Sequence, residues 1–94
     1  MKYHNSTIRE INNLCALPSA RVETYTYDRY GVGIEVIVGS DVYYMNNNNR
    51  MCPSAQTFLY WSVVRLLDAG ISVDPKLISL LGEEDWRLVN SLHK

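Results

Sequence analysis

The sequence predicts an α+β fold of order α-β-β-β-α-α-α: a three-stranded antiparallel sheet with one long helix packed on one of its faces. Three observations carry that prediction. Val32, Ile34, Val36 and Val38 alternate with Gly33, Glu35, Ile37 and Gly39, the two-residue period of a pleated strand with one apolar face. A Thr- and Tyr-rich stretch precedes this strand and Val42 to Asn46 follows it, each joined to it through a glycine-bearing turn. Ser54 and Gly70 then bracket a run whose apolar residues recur at helical spacing.

Taken in order, Thr7 followed by Glu10 makes a capping box, and Ile8, Ile11, Leu14 and Cys15 fall on one helical face. A short helix from about Ile8 to Ala16 follows, stopped by Pro18 and the restriction it places on Leu17. The first strand runs from about Arg21 to Tyr27, and Asp28-Arg29-Tyr30-Gly31 turns the chain. With Asp28 facing Gly31, Tyr27 pairs with Val32, Tyr25 with Ile34 and Glu23 with Val36, so both tyrosines join the valine face. A slip of one residue that sets Tyr25 opposite Glu35 is disfavoured. The second turn, centred on Gly39-Ser40 or on Ser40-Asp41, puts Tyr43 and Met45 on the valine face. The opposite face then carries Val22, Ile37 and either Val42 or Tyr44, beside Thr24, Thr26 and Glu35.

The polar run Asn46 to Asn49 reads as a solvated loop. Pro53 and Ser54 open the long helix, Ala55 to Ala69, and Gly70 stops it. Its Ala55, Phe58, Leu59, Ser62, Val63 and Leu66 face the valines, while Thr57, Tyr60, Trp61, Val64 and Asp68 point away. Asp74-Pro75 starts a helix from Pro75 to Leu81 that ends at Gly82. Glu83, Glu84 and Asp85 suit the N-terminus of a last helix, Glu83 to Leu92, with Trp86, Leu88, Val89 and Leu92 as its apolar residues. Both C-terminal helices are short, so the flank of the long helix around Trp61 and Val64 is the surface they are expected to reach.

Ninety-four residues, 47% hydrophobic and 20% charged, predict a single domain over residues 1–94. The formal net charge is −1, and acidic and basic side chains balance in each half. No basic tract marks a nucleic-acid or anionic-membrane partner. The N-terminus lacks the apolar core of a signal peptide and no run is long enough to span a bilayer, so a cytoplasmic protein with no membrane partner is expected. Cys15 and Cys52 then read as separate reduced thiols. His4 and His93 lie near opposite termini, where chains fray, and no nucleophile, base and orienting group can be named together. The expectation is a non-enzyme with no cofactor. Cys15, Cys52, His4 and His93 match no metal-ligand spacing, and Gly31-Val32-Gly33 enters a strand where a phosphate-binding glycine motif should leave one.

Two resemblances point toward nucleic acid. The order helix, three strands, helix from Thr7 to Ala69 resembles the topology of double-stranded-RNA-binding domains, whose second helix begins with phosphate-gripping lysines. Here that helix begins Pro53-Ser54-Ala55-Gln56-Thr57, with only Arg50 nearby. Leu67-Asp68-Ala69-Gly70-Ile71-Ser72 resembles the turn of a helix-turn-helix, with Leu66 at the position that motif gives to a small residue. Against these stand seven tyrosines beside one phenylalanine, a composition suited to protein interfaces. The expected function is a small protein-binding module, an inhibitor, immunity or regulatory protein of the mobile-element, phage-like kind, that occludes a partner protein or associates with a second copy as a homodimer. The candidate partner-binding residues are Val22, Ile37, Val42 and Tyr44 on the outer sheet face, and Tyr60 and Trp61 on the outer helix face.

Overall fold

The computed structural model describes residues 1–48, 50, 51 and 54–92. Its elements are β1 (Lys2–Asn5), α1 (Ile8–Cys15), β2 (Arg21–Tyr27), β3 (Gly31–Val38), β4 (Asp41–Asn46), α2 (Ala55–Asp68), α3 (Pro75–Leu81) and α4 (Glu83–Leu92). The expected class holds, but the sheet is four-stranded and mixed, in the order β1-β4-β3-β2. The expected three-stranded antiparallel sheet is corrected by β1, which lies parallel to β4 with Tyr3 beside Val42 and His4 beside Tyr43. Lys-Tyr-His-Asn has no apolar alternation to announce a strand. Its neighbours supply the reason to order: Lys2 N–H donates to Ser40 O at 3.0 Å and Ser6 N–H to Tyr44 O at 2.8 Å, tying down both ends. His4, expected in a fraying terminus, instead stacks on the Tyr43 ring at 4.7 Å and lies 3.2 Å from Asp41.

The register of β2 on β3 also differs from expectation by one residue. Tyr27 pairs with Gly31, Tyr25 with Gly33 and Val22 with Val36. The loop therefore holds three residues, and its first, Asp28, takes a left-handed φ of 56°, which a short Asp side chain tolerates. This register sets Tyr25 and Tyr27 on the face opposite the valines and places Val22 among them. The glycines explain the choice, because a Cβ at Gly33 would overlap the Tyr25 ring and one at Gly31 the Tyr27 ring and carbonyl. Each ring lies over the bare backbone of its cross-strand glycine, an aromatic-on-glycine pairing that covers an otherwise open strand. The β3–β4 turn is centred on Gly39-Ser40, with Gly39 at φ 61° and Val38 opposite Asp41.

The core lies between the sheet and the helices. Ile34 and Val36 cluster with Ile8, Ile11 and Cys15 of α1, Leu59, Val63 and Leu66 of α2, Leu77 and Leu81 of α3 and Val89 of α4. Val38, Val22 and Met45 pack at its rim. Local signals place the helices as expected. Thr7 Oγ1 accepts from Glu10 N–H and Glu10 returns the bond to Thr7 N–H, closing the capping box. Ser54 Oγ accepts from Thr57 N–H. Ile71 N–H donating to Leu66 O and Gly70 N–H to Leu67 O end α2 in a Schellman motif, with Gly70 at φ 73°. Asp74 caps α3 by accepting from Lys76 N–H. Asn12, buried in α1, joins the layers by donating to Ser72 O and accepting from Asp74 N–H. Among the described residues no helix is long and apolar enough to cross a membrane.

Candidate functional site

All four helices sit on the valine face or on one another, which leaves the opposite sheet face without a helix among the described residues. Strand alternation and register fix what that face displays: Tyr3 and Asn5 from β1, Val42, Tyr44 and Asn46 from β4, Gly33, Glu35 and Ile37 from β3, and Arg21, Glu23, Tyr25 and Tyr27 from β2. Tyr3, Tyr25 and Tyr44 surround Glu35 in an open depression of ≈ 290 Å³. Tyr25 and Tyr27 are tilted neighbours, with ring centroids 5.9 Å apart. Burial is the main cause pushing the Tyr25 phenol above its ordinary range, opposed by its hydrogen bond with the Asn46 side chain and reinforced by the charge of Glu35.

The six expected partner-binding residues do not form one site. Ile37, Val42 and Tyr44 share the open face as expected. Ile37 and Tyr44 are half-buried, whereas Val42 is only 3% exposed, flanked by Tyr3 and Ile37 at its own level in the sheet. Val22 is corrected: the one-residue register difference turns it to the helix side, where it packs on the core. Tyr60 is also held against the core, together with Val64 and Trp86, as expected of a helix flank covered by the C-terminal segment. Trp61 is half exposed and so is Leu88, so the expected contact of Leu88 with this flank does not cover the tryptophan. Trp61 lies instead with Met51, Phe58, Arg50 and Arg65 along a depression between α2 and the segment after β4.

Sequence reasoning placed Glu35 on the open face, where the structure has it, but missed Tyr3 and Tyr25 as members of that face. The signal was present: Tyr25-x-Tyr27 and Gly31-x-Gly33 have matching two-residue spacing, and each ring needs a bare backbone opposite it. The run after β4 also departs from a solvated loop. Asn47 is buried; its Oδ1 accepts from Val32 N–H at 3.1 Å, and its Nδ2 donates to Tyr30 O at 2.9 Å and to Arg50 O. One side chain thus latches the β2–β3 turn to the end of β4. Asn49, Cys52, Pro53 and His93 lie outside the described residues. Cys15 is fully buried, and burial pushes its thiol up to about 11, which leaves it protonated and unreactive at neutral pH. Among the described residues, no group of three or more His, Cys, Asp or Glu side chains is placed to hold a metal ion. Compared with family models, curated proteins and solved structures, the chain matches none.

Proposed function

We propose that this chain is a small, non-enzymatic protein-binding module acting in the cytoplasm, an inhibitor, immunity or regulatory protein of the mobile-element kind that occludes a partner protein through its open sheet face. The observation that carries this reading is the concentration of Tyr3, Tyr25, Tyr27 and Tyr44 on a face that no helix covers among the described residues. Tyrosine on a rigid sheet offers large contact area with little side-chain freedom to lose, and its hydroxyl stays satisfied at a wet rim. A photo-cross-linking residue placed at Tyr44, and separately at Trp61, tests the reading in cells of the source organism. A discrete protein adduct from position 44 and none from position 61 is the expected result. Absence of any protein adduct from position 44 overturns it, and an adduct of twice the chain's mass makes the partner a second copy.

A second reading, nucleic-acid binding, is favoured by one observation. Arg9 and Arg65 border one depression beside α2, and Arg65, Arg50 and Trp61 the next, so three arginines follow a single course along the helix. None of the three is in an ion pair with a described residue. That reading requires a duplex shift at near-physiological salt, steeply salt-dependent and lost on Arg50→Ala.

A further inference from the structure

On the open face Glu23 and Glu35 stand directly opposite one another across β2 and β3. Like charges so placed destabilise a sheet. Arg21 compensates Glu23 at 3.0 Å, but no cation lies within 4 Å of Glu35 among the described residues. Glu35 is half-buried and, beyond its pairing with Glu23, lines a depression together with Tyr3, Tyr25 and Tyr44. We propose that Tyr3, Tyr25, Tyr44 and Glu35 form a receptor for a lysine or arginine side chain presented by a basic partner protein.

The chemistry of the four residues selects this occupant. Tyrosine rings present negative faces that attract an ammonium or guanidinium, and the carboxylate between them supplies the counter-charge in a partly desolvated setting. A purely apolar side chain would bury the Glu35 charge without a partner, which is costly. A phosphate group would meet Glu35 and Glu23 as like charges. The depression is also no isolated pit: Tyr27 and Ile37 continue the same face around it, so a protein surface gains contact beyond the cation itself. The inference rests on the reading of this face as a protein-docking surface and gives that surface its charge preference.

Amide chemical shifts of ¹⁵N-labelled full-length protein, followed at fixed ionic strength, provide the test. The probes are three peptides, acetyl-Gly-Ser-Xaa-Ser-Gly-amide, in which Xaa is lysine, arginine or the neutral isostere norleucine. A cationic peptide should give saturable shifts at Gly33, Glu35, Tyr44 and Asn46, and bind about tenfold more tightly than the norleucine peptide. Glu35→Gln should remove that preference. Tyr3→Leu, at an edge position that is 67% exposed and whose loss spares the core, should weaken binding several-fold. Equal binding of the norleucine peptide, undiminished preference in Glu35→Gln, or no saturable shift with either cationic peptide overturns the receptor. Any of these results alongside a protein adduct from position 44 sinks the cation inference alone, whereas loss of that adduct sinks the docking reading itself.

Discussion

On one side of β3, Ile34 and Val36 are fully buried against Leu59 and Val63; on the other, the same strand shows Gly33 and Glu35 to a group of tyrosines. The covered side is held by aliphatic packing, which is insensitive to which particular neighbour a side chain meets so long as volume is filled. The open side depends on pairs: Tyr25 on Gly33, Tyr27 on Gly31, Arg21 on Glu23, and Glu35 left over. Stability is therefore concentrated on the covered face, while the proposed partner recognition falls to the open one, and substitutions on the two faces should separate those properties.

The largest effect belongs to the covered face. Val36→Asp places an unpaired carboxylate between Ile34 and the helices, and should cost about 4 kcal/mol or more, enough to unfold a chain of this size. Loss of the cooperative thermal transition is the expected result. An unchanged melt would mean that Val36 is not enclosed, and would remove the distinction between the faces.

The same asymmetry explains what could be read in advance. Aliphatic alternation in β3, the Thr7–Glu10 box, Ser54, Gly70 and Asp74-Pro75 are local signals, and they located seven elements with ends within one or two residues. The open face was not local. Its membership turns on whether the hairpin loop at Asp28 holds two residues or three, because a shift of one residue exchanges the faces of all β2 side chains. Tyr25 and Val22 were exchanged in this way. β1 was invisible for a related reason: a four-residue edge strand gains its hydrogen bonds from a strand nearly 40 positions away, and its own residues carry no period. Asn47 reads as loop by composition, yet it is buried because the Val32 amide and the Tyr30 carbonyl need partners.

Titration compares a group from each side. The Cys15 thiol rises from 9.0 to about 11 in the folded chain, so the native state keeps a proton that the unfolded state loses. Its contribution is fully present below pH 9 and is lost as pH climbs toward about 11, by up to about 3 kcal/mol over that window. The Tyr25 phenol is shifted in the same direction and also favours folding less at alkaline pH, but it borders solvent. Denaturant unfolding between pH 8 and 11 should show a decline that Cys15→Ala flattens more than Tyr25→Phe does. The reverse order would place the more strongly desolvated group on the open face.

The Asn47 latch joins the two sides, since it fixes the turn that sets the register of β2. Asn47→Ala leaves the Val32 amide and the Tyr30 carbonyl without that partner, and should cost about 2 kcal/mol. A melting temperature lower by roughly 10 °C is the corresponding shift for a domain of this size. Hydrogen exchange should locate the damage: amides of β2 and the turn should lose protection first, while Leu59 to Leu66 in α2 retain theirs until global unfolding. Uniform loss of protection would instead make Asn47 part of the common core.

The smallest effect on stability should come from Ile37→Lys, which sharpens the comparison most. Ile37 is half-buried between Arg21 and Val42, and among the described residues no helix covers it. A lysine there can lay its methylene stem along Val42 and keep the ammonium in water, so the loss should stay within about 1 kcal/mol. The same substitution adds a positive charge two residues from Glu35 on the same face of the strand, close enough to offer that carboxylate an internal cation. Partner capture through the open face should then fall more than it does with Tyr44→Ala, because Ile37→Lys both removes apolar contact and competes for Glu35, while the tyrosine substitution removes only one wall. Better retained capture in Ile37→Gln, which removes the apolar contact without supplying a cation, would trace the loss in Ile37→Lys to charge. Strong destabilisation by Ile37→Lys would place Ile37 in the core, and the separation of stability from specificity between the two faces would fail at its centre.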